Sequence, residues 1–271
     1  MEFANKLLER TGKGYLSYSA LKYAADGGRQ QDMKLFELYM KGLLKKESPA
    51  MAFGSLYDCM LLEPEKADER YHVIYDQPKL DEIGGKSPRS TKVYKEWREE
   101  EEAKAKASGK ILVAEEDMDR VINMVNRLDE SEIVNPVTGE IVPVRYFLTG
   151  KVQQEIMGWI GDIPVRGFLD VRNENFITDS KSTRSLYGFR YDVRSFDYDI
   201  QAYIYTQHEQ MQDFYWVVQD TSSPHLCGVY KASELTLQNG ADKFQSAVNN
   251  IRRWLDTPTK DTSSFALFGE I

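Results

Sequence analysis

Two short apolar runs, residues 165–171 (VRGFLDV) and 176–181 (FITDSK), constrain this chain most, because one carries Asp170 and the other Asp179-Ser180-Lys181. Both are rich in β-branched and aromatic residues, and Arg172-Asn173-Glu174-Asn175 between them is polar and turn-like. The pattern predicts a β-hairpin. An even-length turn centred on Asn173-Glu174 pairs residue 170 with residue 177, and strand alternation then sets Asp179 and Lys181 on the face of Asp170. The segment before it, Val152 to Ile160, meets residues 163–171 across Gly161-Asp162, a pair suited to a two-residue turn, so residue 155 pairs with residue 168. Glu155 thereby joins the same face of a three-stranded meander.

Three carboxylates on one face repel one another and raise each other's pKa unless a cation binds among them. Oxygen ligands with no accompanying His/Cys set favour a hard ion, Mg²⁺ or Mn²⁺, which keeps part of its water shell and takes further ligands from a phosphate. The reaction implied is phosphodiester hydrolysis, with Lys181 placed to position the attacking water and offset developing charge. Ordinary solvated strand residues with a surface ion pair between Asp179 and Lys181 also fit these residue types.

The run GFLDV…ITDSKST resembles the D…(D/E)-x-K core of the PD-(D/E)XK nuclease superfamily, and the surrounding blocks resemble the phage and prophage RecE-like exonucleases. Residues 16–22 (LSYSALK) look like that family's S-x-S-x-L-K opening, and residues 52–64 (AFGSLYDCMLLEP) look like its GTxxHxLLLEP helix. Residues 87–92 (SPRSTK), followed by residues 109–112 (GKIL), resemble its middle block, and Gln201 and Tyr205 match the Q-x-x-x-Y motif of lambda-exonuclease-like and RecB-like nucleases. Together the blocks span about residues 15–210 in the family's order.

The resemblance implies an α/β restriction-endonuclease-like core with a mixed central β-sheet flanked by helices. It implies a magnesium-dependent exodeoxyribonuclease, with Mn²⁺ as a substitute, that digests double-stranded DNA ends 5′→3′. The resulting 3′ tail would pass to a phage single-strand annealing protein, and a homo-oligomeric ring would grip the DNA. Glu155, Asp170 and Asp179 are then the metal ligands, Lys181 assists the water, Gln201 orients it, and Tyr205 supports the shell. The chain departs from the family where Asp58 stands in place of the usual histidine. A carboxylate can also ligate Mg²⁺, so Asp58 is a substitute ligand or merely a polar residue on an apolar helix. An endonuclease or junction nuclease with the same core, or a non-catalytic DNA-end-binding protein, stays open.

Length and composition fit one domain, residues 1–271, with a helical part over about 15–75 and a catalytic core over about 140–255, since no repeat or Gly/Ser linker divides the 271 residues. No apolar run approaches a membrane span and residues 1–15 lack a signal-peptide core, so the expectation is a cytoplasmic protein without membrane contact. Two cysteines, Cys59 and Cys227, cannot by themselves supply a four-thiolate zinc or iron–sulfur site. The net charge of −8 runs against DNA binding, which draws its affinity from Lys and Arg on phosphates. Local basic groups would have to compensate, and Lys22, Arg89, Arg166 and Arg184 are the candidates for DNA contact. Helices are expected over 17–70 (with Met33 to Leu44 as one stripe), 93–108, 115–130, 197–211 and 233–255, strands over 214–219 and 226–231, and a polar loop over 76–92.

Overall fold

The computed structural model describes residues 1–44, 48–135 and 138–257. In chain order its helices are α1 (Glu2–Thr11), α2 (Tyr18–Leu21), α3 (Met33–Met40), α4 (Pro49–Leu62), α5 (Ala67–Arg70), α6 (Gln77–Ile83), α7 (Lys92–Ala107), α8 (Glu115–Asp129), α9 (Phe189–Ser195), α10 (Tyr198–Glu209) and α11 (Glu234–Asp256). Its strands are β1 (Tyr71–Ile74), β2 (Ile111–Ala114), β3 (Glu132–Val134), β4 (Ile141–Pro143), β5 (Lys151–Ile160), β6 (Ile163–Arg172), β7 (Phe176–Thr183), β8 (Asp213–Asp220) and β9 (Cys227–Lys231).

The central sheet has the order β5-β6-β7-β8-β9, antiparallel throughout except for the parallel β7–β8 pair. Parallel neighbours need a crossover, and α9 and α10 supply it. Strand β8 shows why the sheet is covered on both faces. Phe214, Trp216 and Val218 enter one core with α10 and α11, while Val217, packed beside Tyr215, enters the other. A run that is apolar at successive positions, as FYWVV is, belongs to a strand buried on both sides. The second core holds α4, α8 and the 3₁₀ turn Val144–Leu148. Buried Gln219 ties that layer together by accepting from the Tyr57 hydroxyl at 2.9 Å and donating to Met124 O at 2.7 Å.

The β5–β6 hairpin turns at Gly161-Asp162 as the sequence predicts, with Ile160 opposite Ile163 and Glu155 opposite Phe168. The β6–β7 turn does not. Its register is Val171↔Thr178 and Arg172↔Ile177, so residue 170 runs toward residue 179 and not 177. The cause is Asn173, whose side-chain Oδ1 accepts from Asn175 N at 2.8 Å and Phe176 N at 2.9 Å and centres the loop one residue later. A shift of one residue in the centre moves the register by two, which preserves parity.

Other departures are local. Helix α3 stops at Met40, before Gly42 with φ 70°, and the expected helical stretch 17–70 includes residues 45–47, which lie outside the described residues. The polar stretch 76–92 contains α6, started by Pro78 and stopped at Gly84 with φ 64°. The meander begins at Lys151, one residue before the expected Val152. Among the described residues no helix is long and apolar enough to cross a membrane, and both cysteines are free thiols.

Candidate active site

After the Val171↔Thr178 pair, β6 and β7 part. The peptide of residue 16 settles against the freed side of β6, with Leu16 N donating to Pro164 O and Arg166 N to Leu16 O, both at 2.9 Å. At the point of parting, the Asp170 side chain takes over the ladder: its Oδ2 accepts from Ser180 N at 2.8 Å. The gap lets groups from both faces of the sheet meet. Asp179 lies on the α10 side and Ser180 on the α4 side of β7, as their hydrogen bonds to Gln201 and Asp58 show.

Asp58 is delivered by α4. Ser48 caps that helix by accepting from Met51 N, Pro49 occupies its first turn, and Pro64 follows its end. Gly54, one turn before Asp58, brings the helix onto Ser182 of β7, and Asp58 then reaches Ser180. Tyr57, one position earlier, points instead into the core at Gln219.

The Ser180 hydroxyl lies 2.6 Å from Asp58 Oδ1 and 3.1 Å from Asp170 Oδ2. One hydroxyl hydrogen cannot serve two carboxylates, so one oxygen pair needs a second proton or a cation. Burial, reinforced by the Asp170 charge, pushes the Asp58 carboxyl up to about 8. At neutral pH Asp58 therefore keeps a proton and can donate to Ser180 Oγ, which donates to Asp170.

Asp179 is 2 % exposed, and burial raises its carboxyl to about 7 against the opposing pull of Lys181. Its Oδ1 accepts from Gln201 Nε2 at 2.8 Å, and its Oδ2 pairs ionically with Lys181 Nζ. Burial alone would depress the lysine; attraction to Asp179 and Asp170 overrides it and holds the ammonium above the ordinary value. The Lys181 ammonium also stands 5.1 Å from the centre of the Tyr198 ring.

Helix α10 positions Gln201 and Tyr205 one turn apart on the face toward β6 and β7. Tyr205 packs against Gly167, where a Cβ would lie 2.6 Å from the ring, so glycine is required for that approach. Burial lifts the Tyr205 phenol to about 12, and it stays protonated.

Asp58, Asp170, Asp179, Lys181, Gln201 and Tyr205 are thus brought together, and Glu155 is not. The residue opposite Asp170 is Gln153, whose Nε2 donates to Asp170 Oδ1 at 3.2 Å from a backbone at φ 47°. Glu155 is exposed and pairs with Arg166 Nε at 2.6 Å. Glu155, expected as a metal ligand, lies opposite Phe168, two positions from Asp170, where Arg166 takes its charge. Of the other basic candidates, Lys22 stands 5.5 Å from the Tyr18 ring, Arg184 is exposed just past β7, and Arg89 is engaged by Asp76 and Glu116. Ser180 and Tyr198 carry contacts that sequence reasoning missed. Tyr198 was findable, since it lies one helical turn before Gln201.

A model of the family described as "PDDEXK-like domain of unknown function (DUF3799)" matches residues 17–264. The chain belongs to this family. The match places the expected restriction-endonuclease-like core, a mixed sheet flanked by helices, within a nuclease-type domain. In fold the chain is similar to the crystal structure of a "Putative exonuclease" from Eubacterium rectale, with a TM-score of 0.62 and 14% identity over 99% of this chain and 94% of that one. The structure of SSO0001 overlaps 73% of this chain and 84% of its own at 14% identity with a TM-score of 0.31, a likeness that carries no argument. No curated protein matches the sequence.

Proposed function

We propose that this chain is a metal-dependent exodeoxyribonuclease that hydrolyses phosphodiester bonds at double-stranded DNA ends. The carrying observation is the Asp58–Ser180–Asp170 chain beside the Asp179–Lys181 pair, assembled where β6 and β7 separate.

Among the described residues no three His, Cys, Asp or Glu side chains are drawn close enough to enclose an ion as they stand. The donor chemistry nevertheless fits a hard divalent cation. Asp58, Asp170 and Asp179 offer only oxygen, two of them resist ionising without a counter-charge, and buried Gln201 Oε1 has no hydrogen-bond partner. These three carboxylates would hold Mg²⁺, with Mn²⁺ as a substitute. When bound, such an ion polarises the phosphoryl oxygen and lowers the pKa of water.

The residues supply the rest. Lys181 holds a positive charge beside Asp179 and so stabilises anionic oxygen at the reacting phosphate. Gln201, fixed by Asp179, keeps its carbonyl free to accept from a water. Tyr205 closes the floor against Gly167 and Tyr198 confines the lysine. Resemblance to RecE-like exonucleases adds 5′→3′ digestion, a 3′ tail passed to an annealing protein, a ring of subunits and action in the bacterial cytoplasm.

The test is digestion of linear and circular duplex DNA in Mg²⁺ by wild type and Lys181→Ala. Wild type should consume linear DNA only, and the variant should lose about a hundred- to a thousandfold in rate with its circular dichroism unchanged. Cutting of circles would remove the exonuclease assignment, and equal digestion by the variant would remove the site.

A further inference from the structure

A cavity of about 440 Å³ opens directly beside the carboxylate centre. Gln201 joins the two, lining the cavity while donating to Asp179. Five of the other eleven lining residues are aromatic, Tyr15, Tyr18, Tyr39, Phe168 and Tyr205, and Lys13 and Arg166 are the cations among them. No carboxylate lines it, in a chain whose net charge is −8.

Phe168 carries the argument. It is 49% exposed, on the face of β6 opposite buried Val165 and Leu169, so the ring contributes little to the core. Arg166 lies beside it, with its guanidinium carbon 5.8 Å from the Phe168 ring centre and 5.1 Å from that of Tyr15. Arg166 Nη1 donates to the Tyr15 hydroxyl at 2.7 Å, which fixes this planar cation between two rings. Arg166 is already neutralised by Glu155, so its charge is poorly suited to be the main attraction for a phosphate. Five aromatic side chains around a space the size of small-molecule sites suit a flat aromatic ligand better.

We infer that this cavity is a nucleobase subsite: it takes the unstacked base of the nucleotide next to the bond being cut, stacking it on the exposed ring of Phe168. The inference rests on the nuclease reading above and specifies how the substrate is held. Stacking on side-chain rings is tolerant of base identity, because every base has a π-face. The space admits about one nucleotide, so a strand end would be frayed by a single base as it enters.

The test uses fluorescence anisotropy in Ca²⁺ with duplexes carrying a three-nucleotide overhang on the 5′ or the 3′ strand, their terminal linkages phosphorothioate so that the probe stays intact. Each overhang is either thymidine or abasic. Wild type should bind one thymidine-tailed duplex about tenfold tighter than its abasic counterpart. Phe168→Ala and Phe168→Leu should both lose that preference while keeping the abasic affinity, the leucine variant retaining bulk but no π-face. Equal affinity for thymidine and abasic tails, or a preference that survives in Phe168→Leu, overturns the subsite. Failure to bind any of the duplexes overturns the nuclease reading with it.

Discussion

Two buried acid–lysine clusters flank α10, and only one of them has the properties of a site. At the start of the helix, Lys243 donates to Asp197 Oδ1 at 2.7 Å and reaches Asp199 Oδ2 at 2.9 Å, and both acids are nearly inaccessible. Asp199 also accepts from Ile200 N at 3.0 Å. Gly240 of α11 packs so closely that a Cβ there would lie 2.1 Å from Asp199 O. The acids there are sealed by that close packing, although the Lys243 side chain is 19% exposed, much as the Lys181 side chain is at 21%. At Asp58, Asp170 and Asp179 one lysine faces three acids, one hydroxyl is shared between two of them, and a cavity adjoins. Acid and lysine side chains are common to both. A surplus of negative charge and an adjoining cavity distinguish the second.

The comparison breaks most sharply on the two lysines. Lys181→Ala should cost the hundred- to thousandfold in cleavage given above but little stability, since Asp179, already raised to about 7, can take a proton instead. Lys243→Ala should do the reverse. It leaves two buried acids without their cation, a loss of about 3 kcal/mol in urea unfolding, while cleavage per folded molecule falls less than about tenfold. Abolished cleavage at an unchanged urea midpoint in Lys243→Ala would place the sealed cluster inside the machinery.

The contrast between the clusters also marks what the sequence could reveal. The Gly161-Asp162 turn set Glu155 opposite Phe168 correctly, because a two-residue loop fixes register by itself. The Asn173 loop set parity but not register, since the choice between two even-length turns lies in one side-chain hydrogen bond. Parity did not by itself place the acids: Asp170 meets Ser180, on the face of β7 opposite Asp179, because the two strands part there. Glu155 stands apart for another reason: sharing a face does not mean sharing a site, and two residues of strand separate it from Asp170. Gln153 fills that place on a left-handed backbone that no glycine or asparagine announces. Asp58, Gln201 and Tyr205 were legible through motif spacing on helices. The sealed cluster was not, because Asp197, Asp199 and Lys243 lie on segments that only tertiary packing joins.

The next effect is on stability and depends on pH. Asp58 ionises near 3.8 when exposed in the unfolded chain and near 8 in the folded one. Between these values the native state binds a proton that the unfolded state has released, so stability falls as pH rises from about 4 to about 8. The metal-free protein should therefore melt at a lower temperature at pH 8.5 than at pH 5.5, and Asp58→Asn, which cannot ionise, should flatten that slope. Mn²⁺ at pH 8.5 should raise the wild-type midpoint, because the cation replaces the missing proton, and should raise the Asp58→Asn midpoint less. A slope unchanged by the substitution, together with no response to Mn²⁺, would make the open cluster as inert as the sealed one.

Glu155 gives the smallest and most discriminating effect. Were it a metal ligand, Glu155→Gln would suppress cleavage on the scale of Lys181→Ala. Its observed partner is Arg166, in a pair whose side chains are 48% and 36% exposed, and such pairs contribute at most about 1 kcal/mol. Glu155→Gln should change cleavage less than about fivefold and should tighten DNA binding, since Arg166 would then present an uncompensated charge at the cavity mouth. The gain should shrink as salt is raised, because released counterions supply it. A large loss of cleavage, rescued by higher Mn²⁺, would move Glu155 from the rim into the open cluster and change the count of acids that must share its one lysine.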